Sequence, residues 1–369
     1  MTVARVVVGI AGGLLVLAML LEFFVTFLLP RRVKRDPRFA RALYRVAWRP
    51  WRALAARLPE TPQDTMLGFF GPLWLIANIA IWSLGIILGF ACLFWTVQSS
   101  LSVTGADFGE YLYYSATAFF SASTNLDPAN GIGRALQISE AACGFAVLFI
   151  AIGYLPALYQ AFSRREVAVS QLDPRAGSPP TAGTLLLQAG ERGRWDELSS
   201  YLAEWETWTA ELMETHLAYP VLGYFRSQHL NQNWLAALTS VVDACAFSIA
   251  STADEGDDGA ILTFAIGRHA FADLAHVFRV RLPEPDHERL TREQFDEVHS
   301  RLSSAGVSLV DPDEAWKHLA HLRRAYEPYA RGLSAWLALR LPDWMPAGEV
   351  EKNWRLATWQ SRRRTSRLP

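Results

Sequence analysis

The chain has 369 residues, 51% hydrophobic and 19% charged, with a net charge of −1 at pH 7; its length leaves room for two or three domains. Three cysteines, Cys92, Cys143 and Cys245, lie far apart in apolar stretches with no CxxC pair, which excludes a zinc ribbon or dithiol redox motif and reads as small buried hydrophobes. The near-zero charge is a cancellation, because residues 31–57 hold ten Arg or Lys against one acid, Asp36, and the remainder is acidic.

Three apolar runs match the roughly 20 residues that a helix needs to cross a bilayer core. The first covers residues 6–29 and is broken only by Glu22. It is long for a signal peptide and has no clear small-residue cleavage site, so it reads as an uncleaved anchor, with residues 1–30 forming an N-terminal transmembrane helix. The second covers residues 66–97, and the third 135–162, with Glu140 near its start.

The basic stretch follows the first run. In residues 31–62, Arg38, Arg41, Arg45, Arg49 and Arg52 recur every three or four positions, with Phe39, Tyr44, Trp48 and Trp51 off that stripe. This predicts an amphipathic helix over 37–57 at the inner leaflet, arginines toward anionic lipid headgroups. A topology determinant without lipid specificity explains the same charges. Positive charge marks the cytoplasmic side, which puts the N-terminus outside and the chain after Arg164 and Arg165 inside. The expected location is a cell membrane crossed several times.

Between the second and third runs, residues 109–133 are too short to cross a bilayer, apolar and rich in aromatics. With both ends outside, the stretch must dip in and return, and such backbone is tolerated at membrane depth only when buried in protein or lining a watery cavity.

Residues 113–162 resemble the ion-channel domain of bacterial potassium-channel-like proteins, which would place the chain in a bacterial inner membrane. Tyr114-Ser115-Ala116-Thr117 before Phe119-Phe120 is similar to the end of a pore helix, and Gly133-Arg134 to the opening of an inner helix. Gly144 stands where the family has a hinge glycine, and Leu155-Pro156 resembles its lower proline kink. The resemblance implies a pore domain over 66–165, a homotetramer and monovalent cations as the conducted species. The filter departs from the family: Ser121-Ala122-Ser123-Thr124-Asn125 carries neither glycine of Thr-Val-Gly-Tyr-Gly, and Asp127-Pro128 is displaced. Glycines let successive carbonyls face the axis through left-handed backbone, which Asn125 tolerates better than Ser123. Weakly selective conduction using the Ser121, Ser123 and Thr124 hydroxyls with Asp127, passage of a different species, and a closed pore kept as a scaffold all fit. Asp127 also reads as a turn residue, and Glu140 as facing the pore vestibule or pairing with Arg134.

Residues 166–182, with Asp173-Pro174, Gly177 and Ser178-Pro179-Pro180, read as a linker. Residues 183–369 read as a helical cytoplasmic domain. Trp195, Leu198, Leu202, Trp205, Trp208 and Leu212 step by three and four, predicting a helix that ends before Pro220. Further helices are expected over 228–251 and 260–279, from a capping box at Thr291-Arg292-Glu293-Gln294, and from Asp311-Pro312 toward Leu341. His216, Arg226, His229, Asn231 and Trp234 bring polar groups to the entrance of an apolar helix, where Asp243 stands alone and needs a partner, with Arg226 or His229 available. The group reads either as a regulatory ligand site or as a polar network that fixes helix packing. His269, Asp273 and His276 share a helical face that suits zinc, but such pairs are common, and no metal or other cofactor is assigned. Asp254, Glu255, Asp257 and Asp258 lack EF-hand spacing. No phosphate loop, catalytic triad or membrane-embedded arginine ladder is present, so neither a nucleotide-binding module nor an enzyme nor a voltage sensor is expected; no nucleic-acid partner is expected either.

The expected whole is an all-α membrane protein: three transmembrane helices, a re-entrant pore helix and loop, and an α-helical cytoplasmic domain.

Overall fold

The computed structural model describes residues 3–27, 39–97, 106–228, 231–253, 258–284 and 287–346. Among these the regular structure is entirely helical, apart from an isolated bridge between Thr252 and Leu309. The chain divides into two compact units, Met1–Tyr159 and Gln160–Pro369.

The first unit contains α1 (Val3–Phe27), α2 (Phe39–Ala55), α3 (Glu60–Thr96), α4 (Phe108–Phe119) and most of α5 (Gly131–Ala176). α1 packs along α3 through small residues. A Cβ at Gly12 would stand 2.7 Å from the Gly89 carbonyl oxygen, and one at Gly89 would stand 2.9 Å from that of Gly12. The two backbones meet at this glycine pair, the device by which helices approach closely in lipid, with the Cys92 and Val16 side chains packed beside it. Phe23 then meets Trp82 edge to face at 5.8 Å, and Thr96 Oγ1 donates to the Arg5 carbonyl at 3.2 Å.

α2 turns its aromatic side toward α3. Trp48 is fully buried with its ring 4.8 Å from Phe70, Tyr44 sits 5.4 Å from Trp74, and Trp51 Nε1 donates to the Met66 carbonyl. Arg49 is exposed on this helix. Of the arginine stripe, Arg38 lies outside the described residues, as do the more N-terminal basic residues 31–35.

α1, α3, α5 and α8 (Trp234–Ser251) are long and apolar enough to cross a membrane. They support a multi-pass membrane protein. α1 and α5 leave apolar stripes exposed, Val7, Ile10, Leu14 and Leu17 on one, Phe145, Leu148, Phe149 and Ile152 on the other. Such stripes cost about 25 cal/mol per Å² against water and almost nothing against lipid tails. α8 was not read from the sequence as a crossing helix. Protein covers it instead: every residue of α8 but Ile249 is buried.

The second unit holds residues 160–176 of α5 and then α6 (Ala182–Glu191), α7 (Trp195–Ala218), a 3-10 turn (Pro220–Tyr224), α8, α9 (Asp258–Phe278), α10 (Arg292–Ser304), α11 (Pro312–Arg324) and α12 (Glu327–Leu337). α6, α7, α9, α11 and α12 all pack on α8. On the tryptophan face of α7, Trp205 and Trp208 are core, with their rings 4.7 Å apart, and Trp195 is half-buried. The capping box of α10 forms as its sequence predicts.

Two expectations are corrected here, and one helix is added. Residues 166–176 continue α5, because Val169, Leu172 and Ala176 are buried at helical spacing and that packing outweighs Pro174. Residues 182–191, unassigned from the sequence, form α6, capped by the Thr181 hydroxyl. The last expected helix is two, interrupted at Ala325 and Tyr326, where Tyr326 is fully buried.

Candidate functional site

α4 is 12 residues long, about 18 Å at 1.5 Å per residue, against a bilayer core of roughly 30 Å. Asp107 starts it with a capping box: its carboxylate accepts from Glu110 N at 2.9 Å, and the Glu110 side chain accepts from Asp107 N at 3.0 Å. Tyr111, Tyr114, Ser115, Ala118 and Phe119 are buried, with Tyr114 against Phe94 of α3.

The end of α4 explains the first residue of the filter-like stretch. Ser121 has φ of 52°. Ser121 N donates to the Ala118 carbonyl at 3.1 Å and Ala122 N to that of Thr117 at 2.8 Å. This is the Schellman arrangement, with Ser121 at the left-handed position that glycine usually takes. Asn125, which would tolerate a left-handed angle better than Ser123, is not among the non-glycine residues with positive φ. Ser121, Ala122, Ser123, Asn125 and Asp127 are exposed, and Thr124 Oγ1 accepts from Leu126 N at 3.2 Å. The turn into α5 is closed by Asn130, whose Oδ1 accepts from Gly133 N at 2.8 Å.

Gly144 underlies the end of α4. A Cβ there would collide with the carbonyl oxygen of Phe119. α5 runs unbroken through Gly144 and Pro156, so Gly144 serves close packing in this conformation. Glu140 is also placed differently from its expectation. It has no exposed surface and bonds Ser115 at 2.5 Å, not Arg134, which is exposed.

In the second unit the polar constellation separates into three. His216 is fully buried and belongs to a socket for Arg165. The Arg165 guanidinium donates to the carbonyls of Leu222 at 2.9 Å and Phe225 at 3.0 Å, to Glu166 Oε1 at 2.9 Å, and to His216 Nε2 at 3.2 Å. His216 Nδ1 lies 2.8 Å from the Leu212 carbonyl, which only accepts, so Nδ1 carries the proton and Nε2 receives Arg165. Burial first, and the Arg165 charge second, push His216 down to about 3. The Trp234 ring lies 5.0 Å from His216.

Arg226 forms the second group. It donates to the carbonyls of Leu337 and Ala338 at 2.8 and 2.9 Å, holding the end of α12. Asn233 caps α8 by accepting from Ala236 N at 2.7 Å, and Asn231 takes a left-handed φ of 63°. His229 lies outside the described residues.

Asp243 is the third, and neither expected partner is used. Arg289 reaches it with Nη2 2.5 Å from Oδ2, and the Tyr326 hydroxyl donates to Oδ1. Arg289 Nε donates to the Pro342 carbonyl at 2.8 Å. Burial, with the Asp243 carboxylate next, holds the Tyr326 phenol well above its usual range. Each group in this cluster is enclosed and bonded, which is the arrangement of a packing network.

The exposed His269 pairs with the half-buried Asp273 at 3.6 Å, and His276 is exposed one turn on. No group of three potential metal ligands occurs among the described residues. Asp254, Glu255 and Asp257 lie outside them.

Arg289 and Tyr326 are participants that the sequence does not single out; there Arg165 reads only as a topology marker and Ser115 only as part of the pore-helix motif. The signal for Arg165 was the spacing of Val169, Leu172 and Ala176, which extends the helix past it.

Comparison of the chain with family models, curated proteins and solved structures finds no match.

Proposed function

We propose that the protein is a potassium-channel-like, weakly selective cation channel in which α4 is a re-entrant pore helix. The observation that carries this reading is α4 itself: a capped, half-length helix, buried against α3, between two helices that are each long enough to cross a membrane. In the topology proposed, α1, α3 and α5 cross a cell membrane, the N-terminus lies outside and the second unit is cytoplasmic. One loop cannot enclose a pore, so the working form is a homotetramer. The exposed apolar stripe of α5 is consistent with neighbours in such an assembly. The second unit is proposed to regulate opening. Lipids are the expected companions of α2 and the start of α3, where Trp51, Met66, Phe69 and Leu73 help line an apolar groove of about 510 Å³.

The Ser121 cap favours a second reading. A potassium filter needs a run of carbonyls aimed at one axis, whereas Ser121 spends its left-handed angle on ending α4. A non-conducting receptor or scaffold that keeps the channel fold fits that use.

Recording the purified full-length protein in planar bilayers under asymmetric KCl and NaCl separates the two. Cation current with similar permeability to both ions supports the channel. Silence from an intact tetramer supports the scaffold. A sharply potassium-selective current would contradict both.

A further inference from the structure

Glu140 has no surface open to solvent. Its Oε1 lies 2.5 Å from Ser115 Oγ on α4, and its Oε2 has no hydrogen-bond partner among the described residues. The same Ser115 Oγ lies 2.7 Å from the backbone carbonyl oxygen of Ile87 on α3. A serine hydroxyl carries one hydrogen, and a carbonyl only accepts. If Glu140 were a carboxylate, two acceptors would compete for that hydrogen and one close contact would hold no hydrogen at all. Both contacts become hydrogen bonds if Glu140 carries a proton. Its O–H then donates to Ser115 Oγ, and the Ser115 hydroxyl donates to Ile87. The 2.5 Å separation lies at the short end for an O–H···O bond.

Among the described residues no cation is found beside Glu140 to hold a carboxylate. Of the described residues, the Tyr114 phenol of α4 and the Cys143 thiol of α5 interact with its charge, neither of them a cation. Asp127, beyond Tyr114, is acidic. From α3 it meets the Ile87 carbonyl through Ser115. An enclosed carboxylate without a counter-ion is neutralised more cheaply than it is buried charged.

We infer that Glu140 is a proton-binding site, whose bound proton links α5 to α4 and, through Ser115, to α3. Losing that proton leaves two acceptors against one hydroxyl and releases the hold on α4. The proton site stands independently of conduction. Its consequence for gating rests on the reading of α4 as a pore helix: alkaline conditions would then loosen the pore helix.

Infrared spectroscopy of the full-length protein at pH 7 tests the site. The expected spectrum contains a protonated-carboxyl C=O band that is missing in Glu140→Gln and moves to higher frequency in Ser115→Ala, which removes the acceptor. Wild type and Glu140→Gln with identical carboxylic-acid regions would overturn the inference. If Glu140→Gln does not fold, Ser115→Ala decides: a shifted band upholds the site, and an unchanged region overturns it. A protein that is silent in bilayers but shows the band would defeat the channel reading and leave the proton site standing.

Discussion

The guanidinium of Arg165 donates to His216 Nε2 at 3.2 Å, while His216 Nδ1 is committed to the Leu212 carbonyl. The imidazole therefore works as a neutral acceptor, and a proton on Nε2 would set two cations against each other inside the second unit. With His216 held at about 3 in the fold and an ordinary histidine near 6.5, the unfolded chain takes up the proton first as pH falls. The stabilising difference is whole above about pH 6.5 and is lost progressively as pH falls toward 3. At pH 5 the loss is about 2 kcal/mol. Thermal unfolding followed by tryptophan fluorescence at pH 7.5 and 5 should show a smaller acid-induced drop in Tm for His216→Gln than for the wild type.

Asp243 is the counter-ion for the buried Arg289. Asp243→Leu leaves that guanidinium enclosed and unpaired, at a cost of about 3–5 kcal/mol. Replacing both, as Asp243→Leu with Arg289→Met, should recover a large part of the loss, because the second charge is no longer stranded. Urea titrations of the two variants measure it, and a double variant as unstable as the single one would deny that the pair is self-contained. Tyr326→Phe should cost less, about 1.5–3 kcal/mol, the worth of one hydrogen bond to a charged group.

Ser121 holds a left-handed backbone as the C-cap of α4. For a residue with a Cβ this costs roughly 1–2 kcal/mol. Ser121→Gly should therefore raise stability by about 1 kcal/mol, and Ser121→Val should lower it. Amide exchange across Phe108–Phe119, slower in the first variant and faster in the second, reads both.

Gly144 faces the Phe119 carbonyl with no room for a methyl group. Gly144→Ala must push the end of α4 off α5, and a forced methyl costs about 1–3 kcal/mol. Gly153, where an added Cβ would meet nothing within 4 Å, is the control: Gly153→Ala should leave the melting temperature unchanged or raise it. Equal losses at both positions would mean that helix α5 is sensitive to alanine in general and not to the contact beneath α4.

The amino-acid sequence determined what depends on near neighbours along the chain. Long apolar runs, the arginine stripe, the tryptophan face of α7 and the Thr291 capping box are patterns of spacing three or four, and helical geometry converts such patterns directly into one face. The polar groups at 216–234 were visible for the same reason, as a break in an apolar stretch. Their partners were not. Arg165 is 51 residues from His216, Arg289 is 46 from Asp243, and Ser115 is 25 from Glu140. Asp243 offered Arg226 by proximity, but Arg226 was taken by the carbonyls at the end of α12, and Arg289 entered from the segment after Pro283 and Pro285. Even the helical extension through Pro174 was decided by burial of Val169, Leu172 and Ala176 against the local preference to break. Periodicity tells which face of a helix must be covered. Which side chain meets a buried charge depends on how several helices share the same interior, and that is a property of the packed chain.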